Sequence, residues 1–140
     1  DLDRDGWLDL LLSHVIQPGL GHGSLCFVTD YPASQAALAR LNPDGVTAAR
    51  FELFHQGIEL ANGFDELTDA EEQHARFEAD NLARHQRGDT PVTIDHRLLA
   101  ALAHGMPATA GVAVGLDRLL MLRLGVDDID SVLAFAIQRC

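Results

Sequence analysis

Two carboxylates, Glu52 and Glu59, flank a stretch that reads as a hairpin. Phe51, Leu53 and His55 alternate with Glu52 and Phe54, Gln56-Gly57 is a turn pair, and Ile58-Glu59-Leu60-Ala61 resumes as a second strand. Across an even-length turn the two glutamates fall on one sheet face as near-diagonal neighbours. Phe51, Leu53, Ile58 and Leu60 fall on the other face, which is the expected core. Paired carboxylates repel unless a proton or a cation intervenes. Hard divalent ions such as Mg²⁺ take such oxygens, usually together with substrate phosphates. The plainer alternative is a solvated polar face that carries glutamates.

A second group lies at Gly111–Arg118. Small residues at Gly111, Ala113 and Gly115 let a ligand or another backbone approach closely. Asp117 and Arg118 then open a helix that is otherwise apolar, and a charge on such a helix needs a partner or a ligand. The planar fork of Arg118 suits phosphate, or equally a carboxylate from Asp117 or a strand glutamate. A third group is Asn62 and Glu66, which can hold an amine by hydrogen bond and charge. The alternative is a turn at Asn62-Gly63. Strict alternation puts Asn62 and Glu66 opposite Glu59, so they join its face only if a bulge near Gly63 re-aims the strand.

Other chemistries are poorly supported. Asp1, Asp3, Asp5, Gly6 and Asp9 fit part of a calcium loop, but Leu12 stands where a bidentate glutamate is needed. The seven histidines show no paired zinc spacing, and there is no nucleophile elbow or P-loop. The 140 residues carry a formal charge of −11, which repels phosphate backbones and argues against a free-standing nucleic-acid-binding module. An apolar content of 47% with 22% charged residues is globular composition. No apolar run is long enough for a membrane span, and Asp1–Asp5 is too acidic for a signal peptide. Cys26 and Cys140, far apart, form no disulfide framework and fit a reducing cytoplasm.

The positioning elements follow from periodicity. Trp7, Leu8, Leu11, Leu12 and Val15 predict a helix, and Pro18, Gly19, Gly21 and Gly23 a loop. Leu25–Val28 predicts a strand, and Ser34–Leu41 a short helix stopped by Asn42-Pro43-Asp44-Gly45. Thr68-Asp69-Ala70-Glu71 reads as a capping box opening a charged helix to about Arg87, and Asp95 caps another. Gly111–Gly115 predicts a strand, Leu116–Leu124 a buried helix, and Val132–Ile137 a last strand. Hairpin strands with separate helices predict an α+β fold, an antiparallel sheet flanked by helices, in one unit over residues 1–140.

Taken together, Arg50-Phe-Glu-Leu-Phe54, Gly57-Ile-Glu-Leu-Ala-Asn-Gly-Phe-Asp-Glu-Leu67 and Gly111-Val-Ala-Val-Gly-Leu-Asp-Arg118 resemble the C-terminal half of a class II lysyl-tRNA synthetase catalytic domain. The last segment resembles motif 3 of that family. The likeness runs from about Trp7 to Arg139. It is closer to the short paralogue branch that modifies elongation factor P, because of Tyr31-Pro-Ala-Ser-Gln-Ala-Ala-Leu38, of Ala113 where lysyl-tRNA synthetases have Gly, and of Gly57–Gly63. Counterparts of motifs 1 and 2 are absent from the 140 residues, so the resemblance implies a single partial catalytic domain.

The resemblance also implies an ATP-dependent ligase that activates (R)-β-lysine or lysine as an aminoacyl-adenylate and passes it to a lysine of elongation factor P. By position, Glu52 and Glu59 hold Mg²⁺, and Glu59, Leu60, Gly115 and Arg118 bind ATP. Glu59 and Arg118 are the catalytic pair, while Asn62, Glu66 and Ala113 form the amino-acid pocket. The expected setting is cytoplasmic, with a homodimer at full length, no membrane, and a protein acceptor in preference to tRNA. The alternatives are a lysyl-tRNA synthetase fragment and a non-catalytic synthetase-like binding module.

Overall fold

The computed structural model describes residues 2–137. Four strands, β1 (Cys26–Pro32), β2 (Thr47–His55), β3 (Ile58–Asp65) and β4 (Ala110–Val114), form one antiparallel sheet in the order β1-β2-β3-β4. Helix α1 (Arg4–Leu11) precedes the sheet, α2 (Ala70–Arg87) and α3 (His96–His104) lie between β3 and β4, and α4 (Leu116–Leu124) follows. The fold is α+β, as the mixture of hairpin and helices predicted.

Local chemistry accounts for the elements. Gln56 (φ 49°) and Gly57 (φ 74°) both take positive φ, the signature of the tight turn whose twist matches a β2–β3 hairpin. The Asp69 carboxylate accepts from the amides of Glu71 (2.9 Å) and Glu72 (3.0 Å), so α2 is capped by Asp69, one residue later than a box on Thr68 requires. Asp95 caps α3 in the same way, and Gly88 ends α2 in the left-handed region. Asp3 caps α1 by accepting from the Gly6 amide at 2.8 Å. Residues 4–11 are therefore helix, not a calcium loop.

Four expectations are corrected. Ser34–Leu41 is not a helix. After one 3₁₀ turn (Ala33–Gln35) the chain turns extended, with Ala37 at φ 51°. There the backbone finds tertiary partners: Arg40 N–H donates to Asp65 O (2.8 Å), Leu38 O accepts from Leu67 N–H (2.9 Å), and Ala39 and Leu41 bridge Glu66 and Ala48. Helix α4 is not buried all round. Only Met121 is, while Leu116 is 73% exposed, because α4 rests mainly on β3 and the 129–131 turn. Val132–Ile137 forms no strand and pairs with no described strand, and Phe135 and Ile137 are exposed. Last, the face expected to be core is only partly covered. Phe27, Val112 and Val114 are exposed there, with the Phe27 and Phe51 rings tilted at 58° and their centroids 5.7 Å apart. The most buried large side chain is Phe54 (1% exposed), on the glutamate side of β2, where Ala36, Ala39 and Ala48 cluster with Leu41 and Phe64.

Candidate functional site

Register decides which side chains meet, since residues directly opposite on antiparallel strands share a face. His55 pairs with Ile58 and Phe54 with Glu59, so Glu59 shares the face of Phe54 and Glu52. The ladder then slips by one: Leu53 pairs with Ala61 and Glu52 with Asn62, leaving Leu60 as a bulge. Without that extra residue Asn62 would face away. With it, Glu52, Glu59 and Asn62 lie on one face. The bulge the pocket requires thus exists, three residues before Gly63.

A second slip does the same for β1. Thr29 pairs with Phe51 but Tyr31 pairs with Ala48, and Asp30 between them takes φ 58°. Tyr31 is thereby turned onto the glutamate face. The Arg50 guanidinium stacks over its ring at 4.4 Å. The same guanidinium donates to Glu52 Oε1 at 2.5 Å and to Gln35 O at 2.8 Å. Neither Tyr31 nor Arg50 is singled out by alternation. Strict period two sends Tyr31 to the other face, and the slip that sets Ala49 and Arg50 of β2 against Asp30 carries no glycine to announce it.

Across β3, Asn62 pairs with Ala113, and Phe64 with Gly111. Glu52, Asn62 and Ala113 therefore form one row across the sheet, with Asn62 Nδ2 3.5 Å from Glu52 Oε1. Glu66 folds back over the next row: a Cβ added to Gly111 would lie 2.6 Å from Glu66 Oε1, so this carboxylate occupies the space a side chain would take. At the end of β3 the Gly115 amide donates to Leu60 O at 2.8 Å, which brings Leu60 and Gly115 together at the start of α4. Arg118 reaches back from α4, donating to the backbone carbonyl of Glu59 at 2.7 Å, and lies 3.5 Å from Glu59 Oε2. Of the carboxylates open to Arg118 in the sequence, Glu59 is the partner.

The eight candidate residues thus lie along adjoining stretches of β2, β3, β4 and α4. They do not line one closed pocket. Glu59 and Arg118 stand on an open part of the face, with side chains 35% and 46% exposed. Glu52, buried, belongs instead to the wall of a cavity of about 670 Å³ with Tyr31 and Arg50.

The residues fit a phosphate-bound divalent cation. Glu52 and Glu59 each give one oxygen to an arginine, and the Tyr31 phenol also lies beside the Glu52 carboxylate. Among the described residues no cluster of three or more His, Cys, Asp or Glu side chains can hold a metal unaided. Asn62 Oδ1 is buried without a hydrogen-bond partner among the described residues, while the Tyr31 hydroxyl lies beside the Glu52 carboxylate.

Burial, and then the Glu52 carboxylate beside it, push the Tyr31 phenol above its ordinary value of 10.0. The folded state therefore keeps the proton that the unfolded chain loses near pH 10, so stability is intact below that pH and declines as pH rises beyond it. Urea titrations between pH 9 and 11 are expected to show a steeper alkaline loss in the parent than in Tyr31→Phe. Parallel profiles would contradict this.

An antiparallel sheet with acidic strands and a glycine-capped helix carrying an inward arginine defines a class, and the comparisons agree. Residues 18–139 match the family described as tRNA synthetases class II (D, K and N), and the chain belongs to that family. It is 55% identical over 138 residues to the elongation factor P–(R)-β-lysine ligase of Vibrio cholerae, an alignment covering 98% of this chain and 43% of that protein. It is 53% identical to the enzyme of that name from Sodalis glossinidius and 49% to that of Klebsiella pneumoniae, each over 98% of this chain and 42% of the relative. The chain thus spans less than half the length of these relatives. No helix among the described residues is long and apolar enough to cross a membrane.

Proposed function

We propose that the chain is part of an ATP-dependent ligase that activates (R)-β-lysine, or lysine, as an aminoacyl-adenylate and transfers it to a lysine side chain of elongation factor P. The observation that carries this reading is the Leu60 bulge, which sets Glu52, Glu59 and Asn62 on one face opposite Ala113. The names of the similar proteins supply the substrates.

In this reading Arg118, held by the Glu59 carbonyl, clamps phosphate, and Leu60 and Gly115 border the nucleotide. Glu52 and Glu59 hold Mg²⁺, which neutralises phosphate charge. Asn62 and Glu66 take the amino groups of the amino acid, and Ala113 shapes the floor beside Asn62. The amino-acid carboxylate attacks the α-phosphate of ATP and expels pyrophosphate. A neutral lysine amine of the acceptor then attacks the adenylate carbonyl, expels AMP and loses a proton. No covalent nucleophile on the enzyme is required: positioning and charge do the work.

Residues 1–140 are read as a partial catalytic domain carrying motif 3 at 111–118. The exposed apolar side chains on the back of the sheet, Phe27, Val112 and Val114, support this, since such a patch is normally covered. The complete protein is read as a cytoplasmic homodimer. The charge of −11 favours a protein acceptor over tRNA.

ATP–pyrophosphate exchange with the complete catalytic domain tests the reading. β-Lysine is expected to drive exchange better than α-lysine, and Ala113→Gly, which removes one methyl group from the pocket floor, is expected to shift that preference toward α-lysine by about tenfold. An unchanged ratio argues for a lysyl-tRNA synthetase pocket. A complete domain that binds neither ATP–Mg²⁺ nor a lysine analogue in a calorimeter argues for a non-catalytic module.

A further inference from the structure

Gly63, Gly111 and Gly115 stand in or beside the paired strands β3 and β4, and they differ in what a side chain would meet there. A Cβ on Gly63 would run into the Phe51 ring and the Gly111 carbonyl, so that glycine keeps a ring and two strands packed. A Cβ on Gly115 would lie 3.4 Å from Arg118 Cδ, an ordinary contact. A Cβ on Gly111 would meet only the Glu66 carboxylate within 4 Å, with Oε1 at 2.6 Å and Cδ at 3.7 Å. Gly111 is not among the glycines at positive φ, so its backbone is open to any L residue. What its bare Cα serves is therefore Glu66, and not the path of the chain.

Glu66 is held firmly everywhere except at that carboxylate. Its amide donates to Thr109 O at 3.0 Å. The backbone on either side is tied to the 38–40 segment, by Arg40 N–H to Asp65 O (2.8 Å) and Leu67 N–H to Leu38 O (2.9 Å). The carboxylate itself makes no hydrogen bond or ion pair with any described residue. Shape alone places it, over the bare Cα of residue 111. Phe64 opposite Gly111 and Asn62 opposite Ala113 share one face, so the carboxylate lies on the face of Asn62 and Glu52. Its oxygens are left free to accept from a ligand.

We propose that Gly111 is a positioning residue for the amino-acid pocket: by leaving its Cβ space empty it lets the Glu66 carboxylate lie against the sheet beside the row of Asn62 and Ala113. The inference rests on the proposed role of Glu66 as the partner of a substrate amino group, and adds that a residue acting only through Glu66 sets that role. A methyl group at 111 forces the carboxylate aside, because the free end of a side chain gives way more cheaply than paired strands do. The strands stay in register and the pocket loses its negative charge at the required point. Ala113 works differently, since its own methyl group bounds the pocket floor.

The test is ATP–pyrophosphate exchange by the complete catalytic domain as the parent, Gly111→Ala, Glu66→Asp and the double variant. Gly111→Ala is expected to raise KM for the amino acid about tenfold, the scale of one charge-assisted hydrogen bond, while KM for ATP stays within about twofold of the parent. Its urea midpoint is expected to be no lower than the parent's, since alanine suits this backbone as well as glycine does. Aspartate is one methylene shorter and clears the added methyl group. The double variant is therefore expected to have an amino-acid KM at least about threefold below that of Gly111→Ala, although Glu66→Asp alone is poorer than the parent. Shortening Glu66 would not rescue a glycine needed only for the fold. The proposal is overturned by an alanine variant with the parent's KM, by equal rises for amino acid and ATP, by a lowered midpoint, or by a double variant no better than Gly111→Ala. A parent that exchanges with neither lysine nor β-lysine removes the role of Glu66 and this inference with it, whereas an active parent matched by its alanine variant removes the role of Gly111 alone.

Discussion

Glu59→Gln is expected to lower ATP–pyrophosphate exchange by 10² to 10³ in the complete catalytic domain, on the order of the loss when one charge-stabilising group is removed from an active site. The substitution is unusually clean. Arg118 is anchored by the backbone carbonyl of residue 59 at 2.7 Å, a bond that does not depend on the side chain. The 3.5 Å ion pair is about one third to one half exposed, so its loss costs under about 1 kcal/mol of stability. Glutamine keeps the shape and removes the charge, so the guanidinium stays in place while the negative charge proposed to hold the cation disappears. The expected pattern is a large fall in exchange, a raised Mg²⁺ requirement and a urea midpoint close to the parent. Exchange within a factor of three of the parent would falsify the assignment of Glu59.

The hairpin was legible because its signal is local. Alternation around Gln56-Gly57 and a turn pair able to take positive φ state both the strands and their register at the turn. The caps at Asp69 and Asp95 were legible, within a residue, for the same reason. What alternation cannot show is a change of phase. Leu60 adds one residue to β3, and β2 sets Ala49 and Arg50 against Asp30 alone; no glycine stands at either slip, so the pairing phase beyond each changes unannounced. Asn62 and Tyr31 are the residues this moves. The joining of Asn62 to Glu52 could be stated only as conditional on a bulge, and Tyr31 gave no sign of its role.

Burial was the other illegible quantity, because it belongs to a side chain's neighbours and not to its type. Leu116–Leu124 is apolar enough for a buried helix, yet only Met121 is covered. Phe54 sits among glutamates in alternation and is nonetheless the best-buried large side chain, while at the other end of β2 the 36–41 segment packs Ala36 and Ala39 against Ala48. That segment was expected to be a helix. Its extended path puts apolar packing on the face that also carries the charges. Glu52 consequently sits in a far drier setting than Glu59, and the two carboxylates should respond differently to losing their arginines.

Arg50→Met tests the drier of the two. The Arg50–Glu52 pair is 2.5 Å apart with side chains 18% and 12% exposed, so removing the guanidinium leaves the carboxylate with neutral neighbours, Asn62 Nδ2 at 3.5 Å and the Tyr31 phenol. Breaking a buried pair from one side costs about 3–5 kcal/mol, and residual solvation of Glu52 places this case near the lower bound. Loss of the stack on Tyr31 and of the bond to Gln35 O adds to it. The penalty is that of an unpaired charge, so removing the charge as well should return part of the loss. The double variant Arg50→Met/Glu52→Gln is expected to be about 1–2 kcal/mol more stable than Arg50→Met alone by urea denaturation, with a coupling energy of similar size from the cycle. If the double variant is no more stable than the single one, Arg50 acts through packing on Tyr31 and not through Glu52. In the predicted case, the same arginine that pairs with Glu52 in a buried wall also sets its orientation toward Asn62, so stability and site geometry depend on one guanidinium.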